Sequence, residues 1–356
     1  MDIAEILHEG VRRRASDILI SAGAPVTYHV EGALEPHTPP NPLSGKESES
    51  LAYQLLKDAQ RKVFEQEWEL DLSFHLKDVS RFRVSVYRQK GTIAAVLRLV
   101  PLEVPRYSEV GIPDRLLMQL LSIPNGLVLV TGPTGAGKST TIASLLEYMN
   151  TEGEVPKHIV TIEDPIEFLL NSKVCVIDQR EIGADTKNYV IGLRSALRQM
   201  PHVIFVGEMR DRDTMEVALT AAETGNLVIS TLSTPSASKT VNRIVDVFPI
   251  HDQAEIRARL ALSLKAVISQ VLLRRTDIQR RIAAREIMFV NSSISNLIRE
   301  GKIHQVSNVI SSSFAEGMVL LDDSLLELHG AGIVRTADVV ARLQDPEKAR
   351  LLIKSR

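Results

Sequence analysis

The chain holds a single cysteine, Cys175, in 356 residues, which excludes an intrachain disulfide and a cysteine-rich metal module. Set in the apolar stretch Val174-Cys175-Val176-Ile177, it is expected to be a small buried hydrophobe. Aromatic residues supply only 4%, and 42 basic residues are offset by 44 acidic ones, giving a net charge of -2. Nucleic-acid binders concentrate basic charge on one domain and offer rings for base stacking, so no nucleic-acid partner is expected. Long hydrophobic runs are missing too: nothing approaches the roughly 18 apolar residues that cross a bilayer. The N-terminus, MDIAEILHEGVRRRASD, has amphipathic helical spacing and lacks the apolar centre of a signal peptide. A cytoplasmic protein is expected, held at a membrane only through a partner.

What is present is a globular composition, 44% apolar and 24% charged, in a chain long enough for two domains. Ile3, Ile6, Leu7 and Val11 recur at helical spacing, Asp17–Ile20 reads as a strand, and the segment from Lys46 to Phe64 reads as helix. Phe82, Val84 and Val86 alternate with Arg83, Ser85 and Tyr87, a half-buried strand, and Ile93–Leu99 follows as a second. Pro101, Pro105, Gly111 and Pro113 punctuate a connecting stretch. Beyond it, apolar strands alternate with helical segments, predicting an α/β domain on a largely parallel sheet, and the last eighty residues are mostly helical by pattern. The expected bounds are 1–100 for a first domain, 101–113 for a linker and 114–356 for the second domain.

The apolar strand Leu127–Val130 feeds Gly132-Pro133-Thr134-Gly135-Ala136-Gly137-Lys138-Ser139-Thr140, with helix to follow from Thr141. This is G-x-x-x-x-G-K-S in the strand–loop–helix setting that a phosphate loop requires. Its glycines let several backbone N–H groups converge on one anion, and the helix N-terminus adds its positive end. Lys138 is placed for the β- and γ-phosphates of ATP, and the Ser139 hydroxyl for Mg²⁺.

Two further strands end in acids. His158–Ile162 runs into Glu163-Asp164-Pro165-Ile166-Glu167, at the carboxyl end where ligands bind in open α/β sheets. A carboxylate there serves as base for the attacking water, which suits Glu163, or holds Mg²⁺ through water, which suits Asp164. Val203–Val206 ends in Gly207-Glu208-Met209-Arg210-Asp211, a Walker B pattern with Glu208 as the catalytic and magnesium-side acid. Arg210 is either a phosphate sensor or a salt-bridge partner of Asp211 or Asp213.

Taken together, these residues resemble the secretion-superfamily ATPases. Ile159–Phe168 looks like their Asp box, Val206–Asp211 like their Walker B, and Ala221–Gly225 like the opening of their His box. Asp246–Pro249, Asn296–Gln305, Ala15–Asp17 and Arg81–Gly91 are similar to signatures of PilT-type pilus retraction ATPases, in order over nearly the whole chain. The resemblance implies a PAS-like N-terminal α+β domain, a RecA-like P-loop ATPase domain with a helical C-terminal part, and a homo-hexameric ring. It implies work at an inner-membrane pilus platform protein. It also puts Arg81, Arg83 and Arg88 toward the nucleotide of a neighbouring subunit; read alone, they are equally a solvated strand face. Arg194 and Arg198, four apart on a predicted helix, are a second arginine pair near phosphate or an ordinary surface face.

The chain departs from the family pattern at Asn226 and Ser233, where histidines are usual, at Met200-Pro201-His202, where Asp-Pro-Asp is usual, and at Ser293–Glu300, which lacks its first arginine. Serine is short and carries no imidazolium charge. The reading is therefore a retraction motor, with a slow or regulatory paralogue that works beside a second pilus motor as the alternative. An assembly or secretion ATPase would bring a longer N-terminus and a Cys₄ zinc module. If the missing histidines set turnover, restoring both by Asn226→His with Ser233→His raises phosphate release from ATP; unchanged release counts against the idea.

Overall fold

Alternation of apolar and polar side chains does fold into antiparallel strands in the first part of the chain, and unbroken apolar runs do fold into buried parallel ones in the second. The computed structural model describes residues 1–76, 79–100, 103–278 and 280–354; Pro101 of the expected linker lies outside them. The chain divides into two compact units, Met1–Glu103 with Glu167–Leu169, and Val104–Ile166 with Leu170–Arg356. Among the described residues no helix is long and apolar enough to cross a membrane.

In the first unit, β1 (Asp17–Ile20), β2 (Thr27–Val30), β3 (Ala33–Pro36), β4 (Glu69–Leu76), β5 (Ser80–Gln89) and β6 (Thr92–Leu99) form one antiparallel sheet in the order β3-β2-β1-β6-β5-β4. Ile18, Ile20, Phe82, Val84, Val86 and Leu97 pack in one core with Ile6, Leu7, Leu51 and Phe64 from three helices. The helix expected over Lys46–Phe64 is two helices, Gly45–Gln54 and Asp58–Glu67. Leu55 closes the first and is itself buried, so the break is made by core packing, with no glycine or proline to announce it. β3 is exposed along its whole length, which is why it did not stand out; β4 does alternate, its Leu70, Leu72, Phe74 and Leu76 packing partly buried against this core, a signal the sequence carried and the reading missed.

In the second unit, β7 (Gly126–Thr131), β8 (His158–Glu163), β9 (Val176–Glu181), β10 (Val203–Val206), β11 (Leu227–Leu232), β12 (Leu264–Arg274) and β13 (Arg281–Phe289) form the order β13-β12-β7-β11-β10-β8-β9. All neighbours are parallel except the β12–β13 pair at one edge. Every residue of β7, β10 and β11 is buried, as strands covered on both faces must be. One core cluster holds Leu127, Leu129, Val206 and Val228, the other Val128, Val130, Phe205 and Ile229, the alternate faces of the same strands. Cys175 is buried and free, as expected.

Phe64 is the one buried residue of its helix and meets Tyr53 edge-on at 6.4 Å between centroids. Phe64→Ala is therefore expected to lower the stability of the first unit by about 3–5 kcal/mol. A denaturant titration checks this.

Candidate nucleotide site

The loop after β7 is built against β12. Gly132 has φ of 143°, and a Cβ there would lie 2.3 Å from the carbonyl oxygen of Gln270, so no other residue fits. The Gln270 side chain, buried itself, donates from Nε2 to the Ala136 carbonyl at 2.7 Å and accepts from Thr141 Oγ1 at 3.0 Å. Beneath, Thr131 and Ser269 share a hydrogen bond of 2.7 Å between their hydroxyls. The helix Lys138–Thr151 begins directly at Lys138, three residues before the expected Thr141, with Gly137 as its cap. The Lys138 ammonium donates to the carbonyls of Gly132 and Pro133 at 2.9 and 3.2 Å. Pro133, Thr134 and Gly135 are exposed at the loop tip, while Ala136 is buried and Ser139 and Thr140 are half-buried.

Parallel pairing puts the acids on the same edge. Ile162 pairs with Val206, and the Gly207 N–H donates to the Ile162 carbonyl at 2.8 Å, so Glu163 and Glu208 leave adjacent strands. Glu163 is buried, and its Oε1 accepts from Thr161 Oγ1 at 2.7 Å and from Gln179 Nε2 at 3.1 Å. Gln179 is in turn oriented by the Leu170 N–H at 2.8 Å. Asp164 is exposed. Glu208 accepts from Arg210 Nη2 at 2.7 Å and from Ser233 Oγ at 3.4 Å. That hydrogen bond raises the pKa of Arg210. The partner expected for Arg210 was Asp211 or Asp213; the structure gives Glu208, because Asp211 caps helix Arg212–Glu223 through Thr214.

Asn226 and Ser233 do not share a site. Ser233 follows β11 at the phosphate edge, whereas Asn226 precedes β11 and donates to the Pro201 carbonyl at 2.7 Å. Seven residues apart at about 3.3 Å per residue, they are separated by about 23 Å. Only Ser233 stands beside the acids. Arg194 and Arg198 are both exposed, and the helix Tyr189–Ala196 ends before Arg198, so the expected one-helix pairing is absent. In the first unit, Arg81 and Arg83 project from one face of β5. Arg88 has the parity of buried Phe82, Val84 and Val86, and its guanidinium lies 5.2 Å from the Trp68 ring centroid. The three arginines therefore do not form one row.

Sequence reasoning missed Gln270, Gln179 and Thr161. A signal for the first was present: Ser269-Gln270 interrupts the apolar run Val267-Ile268 and Val271-Leu272. Beside the loop, Pro105, Glu109, Gly137, Thr140, Leu272 and Arg280 line a cavity of about 340 Å³, a size that suits a nucleoside. Its outer wall is pinned: the Ser144 hydroxyl donates to the Pro105 carbonyl, and buried Arg285 donates to the Val110 carbonyl at 2.9 Å. Burial lowers the Arg285 pKa to about 10. On this edge the hydroxyl of Ser139 and the carboxylates of Glu208 and Asp164 are the groups that could hold Mg²⁺. Hard oxygen donors in that small number fit a cation that keeps several waters and takes its other ligands from phosphate.

Gln270→Leu removes the contacts to Ala136 of the loop and Thr141 of the helix and is expected to weaken nucleotide affinity about tenfold. Glu163→Gln should leave affinity unchanged and lower turnover at least about 100-fold. Titration with a fluorescent ADP beside a phosphate-release assay separates the two effects.

The chain is similar to known proteins over nearly its whole length. The family described as type II/IV secretion system protein matches residues 1–345. The type IV pilus retraction ATPase PilT of Pseudomonas aeruginosa is 44% identical over 347 residues, covering 98% of this chain and 99% of that protein. The type IV pilus ATPase PilU of the same organism is 33% identical over 354 residues, covering 99% and 92%. A crystal structure of the pilus retraction motor PilT with bound ADP superposes at a TM-score of 0.90 and 41% identity, covering 98% of both chains. The α/β fold, with an N-terminal domain before a RecA-like ATPase domain with helical C-terminal part, is thus borne out. With the phosphate loop and both acids on one sheet edge, the chain belongs to the type II/IV secretion system protein family, among its PilT-type retraction ATPases.

Proposed function

We propose that this chain is a Mg-ATP-hydrolysing motor that powers type IV pilus retraction, working as a homo-hexamer at an inner-membrane platform protein. The observation that carries the reading is the convergence of Lys138, Glu163 and Glu208 on the carboxyl edge of one parallel sheet. The N-terminus of helix Lys138–Thr151 and the loop N–H groups bind the phosphates, with Lys138 within side-chain reach of the β- and γ-phosphates. Glu163, held by Thr161 and Gln179, accepts a proton from water as its oxygen bonds to the γ-phosphorus. The bond to the ADP oxygen breaks, leaving ADP and phosphate. Ser139, Glu208 and Asp164 would hold Mg²⁺, which would supply charge neutralisation to the phosphate oxygens. Residues 1–100 act as the PAS-like domain and 114–356 as the motor domain. Arg81 and Arg83, which share a strand face, are the arginines suited to a neighbour's nucleotide; Arg88 on Trp68 is less so.

One observation favours a second reading. Ser233 is within 3.4 Å of Glu208 and offers only a short hydroxyl where the family usually carries histidine. A ring subunit of slow turnover, working beside a second pilus motor, accommodates that. Phosphate release by the purified protein, with Lys138→Ala as blank and oligomeric state recorded, decides. Release lost in Lys138→Ala supports a motor. Nucleotide binding in an assembled ring without release supports the accessory subunit, and then Ser233→His should raise release while Asn226→His does not.

A further inference from the structure

The phenol of Tyr189 enters none of the roles assigned above. Tyr189 is the first residue of helix Tyr189–Ala196, whose cap Asn188 accepts the Ile191 N–H. One turn on, Gly192 lets the helix close on β8, because a Cβ there would lie 3.1 Å from Ile162 Cγ2. The approach leaves the Tyr189 ring half-buried against the core of the ATPase sheet and its hydroxyl at the carboxyl edge.

The position of that hydroxyl is fixed by Gly207. A Cβ added to Gly207 would stand 3.0 Å from the phenol oxygen, 3.4 Å from the Ile162 carbonyl oxygen and 3.5 Å from Glu163 Cα. The hydroxyl therefore sits between the end of β8, which leads into Glu163 and Asp164, and the end of β10, which leads into Glu208. Among the described residues it makes no hydrogen bond. Burial, then the charges of Asp164 and Glu208, push its pKa well above the ordinary phenol value, so it remains a donor. Phenylalanine would fill the same core, so the packing does not explain the hydroxyl. A donor facing carboxylates, too far to bond them directly, is completed by water.

We propose that Tyr189 is a positioning residue for ATP hydrolysis, its hydroxyl donating to water held between Asp164 and Glu208 and so ordering the solvent beside Glu163. The proposal rests on the reading of this edge as an ATPase site. Tyr189 neither gains nor loses a proton; it fixes the direction of water whose neighbour is deprotonated by Glu163.

Tyr189→Phe keeps the ring in the core and removes only the oxygen. Wild type and variant are compared in steady-state phosphate release from ATP, in titration with fluorescent ADP, and in thermal unfolding. The expected result is a kcat lower by about tenfold. KM for ATP and affinity for ADP should stay within about twofold, with Tm unchanged. A kcat equal to that of the wild type overturns the proposal, as does a fall matched by weaker ADP binding or a lower Tm. Wild-type release no faster than that of Lys138→Ala overturns the ATPase reading and this proposal with it.

Discussion

The phosphate loop keeps its shape because Gln270 braces it from a neighbouring strand. A loop meant to wrap an anion must keep N–H groups for it, so its curve rests on other bonds, among them those of Lys138 to the Gly132 and Pro133 carbonyls. Gln270 adds a constraint from outside the loop with one buried amide, bonded to Ala136 on one side and Thr141 on the other. Its own carbonyl comes so near Gly132 that the loop has no room for another residue there. The buried β7–β12 pairing sets this approach, with Thr131 and Ser269 fastening it one residue below.

The same logic governs the acids. A carboxylate that serves as base must be held in one rotamer, and the donors that hold Glu163 include the amide of Gln179 and the hydroxyl of Thr161. Glu208 is held differently, by Arg210 two residues on and weakly by Ser233. Asp211 is diverted to capping a helix, and that local competition decides where Arg210 goes.

Much of this was legible in the sequence because its chemistry is local. The phosphate loop, the acids after two apolar strands and the β5–β6 alternation each sit in one short window, where period and composition speak directly. What stayed hidden depends on pairing between distant segments. Nothing near Gln270 says that it touches Ala136, 134 residues away in the chain. The break at Leu55 is a core-packing event without a breaker residue, and β3 lacks a buried face. Asn226 and Ser233 looked like one altered sensor because sequence proximity hides which end of a strand a residue occupies.

Strand β11, which separates those two residues, is buried along all six positions and clamped between β7 and β10. An interior packed to crystal-like density barely compresses. A strand so confined transmits a push at its phosphate end as translation of the whole sheet, and damps any attempt to bend it locally. Information about the γ-phosphate can therefore leave this edge only by rigid displacement or through the helices that cover the sheet.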